Sequence, residues 1–138
     1  HTYAGVELRL ACEKLIEKQG FPEPTGQAKI TPAFNLPCRF VLHTVGPIVR
    51  GRVTNRDREQ LSSCYRSCLE LAEKNGLNSV AFCCVSTGEF CFPNEEAAKI
   101  ATKTVRDFMK SLACVKKVVF NVFKDIDKEI YSRLLKTN

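Results

Sequence analysis

The chain has 138 residues, is 44% hydrophobic and 26% charged, and carries a formal net charge of +6. This length fits one domain with one sizeable core, and the composition excludes a disordered or low-complexity chain. No apolar run approaches the roughly 20 residues that span a bilayer, and the start, HTYAGVELRL, lacks the layout of a signal peptide.

In chain order, Val6 to Gln19 reads as an imperfect amphipathic helix stopped by Gly20. FPEPTG (Phe21–Gly26) is a loop, with two prolines and a glycine. QAKIT (Gln27–Thr31) is a short strand, broken by PAFNLP. RFVLHTV (Arg39–Val45) is a clearer strand, closed by Gly46 and Pro47. From Asn55 to Asn75, Leu61, Cys64, Tyr65, Cys68, Leu69 and Ala72 follow helical spacing, and Gly76 ends the helix. SVAFCCV (Ser79–Val85) is a continuous apolar run, which predicts a strand buried on both faces. Ala97, Ala101, Val105 and Phe108 predict a helix from Asn94 to Met109. KKVVFNVF (Lys116–Phe123) is a further strand, and Asp125 caps a last helix to about Leu135.

The order α-β-β-α-β-α-β-α implies one α/β layered domain over 1–138, with mostly parallel pairing and helices on both faces. In such sheets ligands bind beyond the carboxyl ends of the strands. The segment STGEFCF, Ser86 to Phe92, lies at such an end. Gly88 admits backbone angles that other residues avoid. Ser86 and Thr87 are small hydroxyl residues, and the backbone N–H groups of the segment suit a phosphate. Phe90 or Phe92 would pack against a ribose or base; the plainer reading has them capping the core. Glu89, Glu95 and Glu96 would repel an anion, so a bound phosphate requires these carboxylates to turn away.

The charge favours anionic partners. Its densest region is Arg50, Arg52, Arg56 and Arg58, interrupted by Asp57, and a solvated face is the plainer reading. The eight cysteines sit within apolar patterns and read as reduced core residues of a cytoplasmic protein. Cys64 and Cys68, four apart on a helix, have no evident further metal ligands. Cys91 sits in the loop beside Glu89, which disfavours a thiolate. His43 lies mid-strand and reads as a hydrogen-bonded structural residue. Asp125 and Asp127 read as a helix cap and a first-turn acid.

TGQAKITPAFNLPCRFVLHTVGP, then CYRSC, then FCCVSTG and the STG…FP turn resemble the macrodomain family in order and spacing. GVELRLAC, CYRSC and FCCVSTG resemble its zinc-containing microbial branch, which removes ADP-ribose from modified proteins. The resemblance implies a three-layer α/β/α fold with a mixed, mostly parallel sheet. It also implies an ADP-ribose site in which Ser86, Thr87, Gly88, Glu89, Phe90, Cys91 and Phe92 wrap the diphosphate and distal ribose, with Phe92 against the ribose. Cys91 stands where many members carry glycine. The family's adenine-contacting Asp, its Asn-rich segment, its first glycine-rich loop and the branch's zinc-binding Cys/His/Cys cluster would all precede His1. The chain is therefore expected to be a macrodomain without its N-terminal portion, including at least one central strand. Zinc is expected only in the wider protein, with no metal ligand here, and no catalytic residue is named. The implied function is recognition of ADP-ribose, and its hydrolytic removal, on modified proteins. A non-catalytic ADP-ribose reader and a basic RNA- or polyanion-binding protein are the alternatives. Neither a membrane nor nucleic acid is the expected partner.

Overall fold

The computed structural model describes residues 25–32, 39–83, 91–122 and 125–136. The strands are β1 (Ala28–Pro32), β2 (Phe40–Thr44), β3 (Ser79–Phe82) and β4 (Lys117–Phe120). The helices are α1 (Asn55–Lys74), α2 (Asn94–Met109) and α3 (Asp125–Lys136). The predicted first helix, Val6 to Gln19, lies outside the described residues.

Helix α1 starts and stops through local chemistry. Thr54 accepts from Asp57 N–H while Asp57 Oδ2 accepts from Thr54 N–H, a reciprocal cap that satisfies two otherwise orphaned donors. At the other end Gly76 takes φ 68°, and the Gly76 and Leu77 N–H groups donate back to the Glu73 and Ala72 carbonyls. This is the left-handed glycine stop that the sequence predicts. The face between these ends buries Leu61, Cys64, Tyr65, Cys68, Leu69 and Ala72, the six residues picked out by helical spacing.

β1 and β2 form an antiparallel pair in which Lys29 faces His43 and Ile30 faces Leu42. β3 and β4 pair in parallel, Val80 against Val118 and Phe82 against Phe120. Pairing is thus mixed, with one antiparallel and one parallel pair among the described residues. α1 packs on α2 and on β1 and β2, and α2 packs on α3. Tyr65, Phe82, Phe120 and Tyr131 run through the core as a chain of rings 4.9 to 6.1 Å apart, centre to centre. Such edge-on and offset contacts add to the area the rings bury.

One expectation is corrected. Ser79–Val85 was predicted to be buried on both faces. The strand stops at Phe82, and its residues alternate: Val80 and Phe82 are buried, Ser79 and Ala81 exposed. On β4, Val119 is 43% exposed. The core gathers on the Val80 and Phe82 side, and neighbouring strand residues point to opposite faces. An apolar run therefore does not by itself say how many faces are covered.

Candidate functional site

β3 ends at Phe82 and α2 begins at Asn94, so the STGEFCF segment joins the carboxyl end of a parallel strand to a helix N-terminus. Ser86, Thr87, Gly88, Glu89 and Phe90 lie outside the described residues. Cys91 and Phe92 form the returning limb. Cys91 is exposed and has φ 63°, the only positive φ at a non-glycine residue among those described. That angle suits glycine, the residue that the resemblance places there. Phe92 is 1% exposed and belongs to the core cluster, so it takes the core-capping role. The limb is thereby pinned by a buried ring one residue after a backbone turn.

The first turn of α2 is held by three contacts from two helices. Asn94 Nδ2 donates to Asp127 Oδ1 on α3 at 2.7 Å. Glu95 pairs with Arg133 on α3, and Glu96 with Arg58 on α1. Of the acids expected to repel an anion, Glu95 and Glu96 thus have cationic partners on neighbouring helices, and Glu89 lies outside the described residues. Asp127 is 5% exposed, so its role exceeds that of a first-turn acid. Sequence reasoning missed this, because its partner is 33 residues away.

The HTVGP segment is a brace. His43 Nε2 and Thr31 Oγ1 are 2.8 Å apart, and burial lowers the His43 pKa, which favours the neutral ring. His43 is the structural residue predicted. Val45 O accepts from Gly26 N–H at 2.9 Å and from Cys64 Sγ at 3.3 Å. Ser63 and Ser67 both donate to Gly26 O. Gly26 has φ 88°, and a Cβ there would sit 3.1 Å from Ser63 Oγ, so both backbone angle and space favour glycine.

Two concavities flank this frame. One, of about 420 Å³, lies beyond the end of β2 and is lined by Thr25, Ile48, Arg50, Arg56, Asp57 and Gln60 over Gly46 and Pro47. The other, of about 540 Å³, runs between β2 and β3, with Phe40, Leu42, Val80 and Phe82 in its walls. Among the described residues β2 pairs only with β1, and β3 only with β4.

The described cysteines do not gather with other metal-ligating side chains. Cys64 and Cys68 are buried in the core. Burial pushes the Cys64 thiol up, and burial with the neighbouring Cys64 and Cys83 pushes Cys68 up to about 12. Among the described residues no cluster of three His, Cys, Asp or Glu side chains could hold a metal. Cys64, Cys68, Cys83 and Cys114 are free thiols. No described helix is long and apolar enough to cross a membrane.

Glu73 was also missed. Its carboxylate accepts from the Ala113, Cys114 and Val115 N–H groups at 2.8 to 3.0 Å, fixing the turn that enters β4. Those donors, Val115 first, hold its pKa below the ordinary glutamate value. A helical glutamate followed by nothing acidic or basic at matching spacing offers no signal for a partner 42 residues on.

A macro domain family model matches residues 1–101. The chain is 54% identical over 135 residues to a protein-ADP-ribose hydrolase of Treponema medium, covering 98% of this chain and 52% of that one. It is 50% identical over 132 residues to a protein-ADP-ribose hydrolase of Staphylococcus aureus strain MSSA476, covering 95% and 50%. The chain spans about half the length of these curated relatives. Among solved structures it is similar to a variant of the Oceanobacillus iheyensis macrodomain with ADPR. There the TM-score is 0.91 and the identity 39%, over 99% of this chain and 73% of that one. The Trypanosoma brucei macrodomain in complex with ADP-ribose aligns at TM-score 0.73 and 38% identity, over 81% and 46%. These likenesses give the fold as three-layer α/β/α, with parallel and antiparallel pairing as described above. The chain belongs to the macro domain family.

Proposed function

We propose that this protein recognises ADP-ribose and removes it by hydrolysis from modified proteins. The observation that carries the proposal is the chain-long likeness, at TM-score 0.91, to a macrodomain that holds ADPR. The relatives named protein-ADP-ribose hydrolase support the hydrolytic part. In this reading Ser86, Thr87, Gly88, Glu89, Phe90, Cys91 and Phe92 form the loop around the diphosphate and distal ribose. The turn at Cys91 and the buried ring of Phe92 anchor the loop's returning end. Glu95 and Glu96, engaged by Arg133 and Arg58, are compatible with an anion beside the helix start. No zinc is assigned to residues of this chain, and the reading of its cysteines as reduced core residues carries a cytoplasmic setting with it.

The test is incubation of the full-length protein bearing this chain with a mono-ADP-ribosylated protein, followed by mass spectrometry. Release of free ADP-ribose is expected. Binding without release would favour the non-catalytic reader, and neither binding nor release would remove the proposal.

A further inference from the structure

We infer that the concavity at the start of α1 docks an acidic segment of the modified protein, a reading that rests on the function proposed above. Arg50, Arg52 and Arg56 are exposed, and Arg50 and Arg56 line the concavity. Among the described residues the arginines in ion pairs are Arg58 and Arg133, so these three have no carboxylate partner there. The one acid in the lining, Asp57, already accepts from Thr54 N–H. The amino end of α1 adds its own partial positive charge to the same place. Two guanidiniums on the hollow, Arg50 and Arg56, with no carboxylate partner among the described residues, make a site for carboxylates, which they bind through paired N–H donors.

Size and composition select the partner. A hollow of about 420 Å³ has room for one or two side chains. Its lining contains no aromatic ring, and single-stranded nucleic acid is held by aromatic platforms along an extended basic track. A short acidic peptide satisfies the charge without either feature. Position supplies the link to function. The Arg58–Glu96 pair joins the first turn of α1 to the first turn of α2, directly after the 86–92 loop. Arg56 thus stands two residues from the contact that reaches the helix start following that loop. Attraction between exposed charges chiefly raises the association rate and sharpens the choice of partner.

The test is fluorescence-polarisation titration of the full-length protein with a labelled Glu/Asp decapeptide. The double variant Arg50→Ala/Arg56→Ala is compared with Lys103→Ala/Lys128→Ala, which removes equal charge elsewhere. The arginine variant should bind roughly three- to tenfold more weakly, the scale of two exposed ion pairs, and the lysine variant should bind as the wild type does. Equal weakening in both variants, absence of peptide binding, or tighter binding of an oligothymidylate of equal charge would overturn the inference. ADP-ribose is titrated in parallel. Its affinity should be the same in the arginine variant; a loss there would place the arginines in the nucleotide site and overturn the docking role. No ADP-ribose binding by any of the proteins would instead remove the proposed function, while the peptide titration would still decide the acidic site.

Discussion

Asn94 Nδ2 donates to the buried carboxylate of Asp127 at 2.7 Å, and this bond joins the first turns of α2 and α3. Asn94 is the second residue after Phe92, so the bond also fixes where the candidate loop re-enters the fold. Asn94→Ala removes the donor and leaves the carboxylate buried with one partner fewer. The expected loss is about 1–3 kcal/mol of stability. Urea unfolding monitored by circular dichroism measures it; an unchanged midpoint would show that Asp127 is satisfied without Asn94.

Glu73 predicts a pH dependence. Its folded-state pKa is depressed by three backbone donors, so its contribution is present above the unfolded glutamate value, about 4.3, and is lost as pH falls through the lower folded value. Glu73→Gln should therefore lower the thermal midpoint at neutral pH. The gap to wild type should close through the acidic range below that value. A gap that is constant with pH would mean that the carboxylate's charge is irrelevant.

The cysteines should differ in reactivity, because the thiolate is the attacking species. Cys83 and Cys91 are exposed and should react first with iodoacetamide. Cys114 is exposed, yet Glu73 beside it raises its pKa, so it should lag, and Glu73→Gln should speed it up. Cys64 and Cys68 should react only on unfolding. Peptide mass mapping over time would check the order. Early labelling of Cys68 would contradict its burial.

Gly26→Ala should destabilise the brace between β2 and α1. The backbone angle costs an alanine about 1 kcal/mol or more, and crowding against Ser63 adds to it. The thermal midpoint should fall, with the exposed Gly51→Ala as the comparison: its φ is also positive, but a Cβ there meets nothing within 4 Å. An equal fall in both variants would assign the effect to backbone strain alone.

What the sequence discloses divides along physical lines. α1 and α2 are legible almost to the residue, because their apolar faces repeat with the helical period and Gly76 supplies the stop. The strand at Ser79 is legible in place, but not in length or in the number of its covered faces. Apolar content records burial propensity and not which neighbour arrives. The candidate loop is legible as small residues and aromatics at a strand-to-helix turn, and its anchor Phe92 is found where the core-capping reading puts it. The bonds of Asp127 and Glu73 are illegible, since each reaches an element more than thirty residues away that no local pattern names.

The central claim is that ADP-ribose binds through the segment from Ser86 to Phe92. The most direct measurement is calorimetric titration of ADP-ribose into the full-length protein and its Gly88→Glu variant, with circular dichroism to confirm the fold. Hydrogen bonds to a charged group contribute about 1.5–3 kcal/mol each, so losing two to a bulky carboxylate should weaken binding by about a hundredfold or more. Unchanged affinity in a folded Gly88→Glu protein would place the ligand elsewhere and contradict the account.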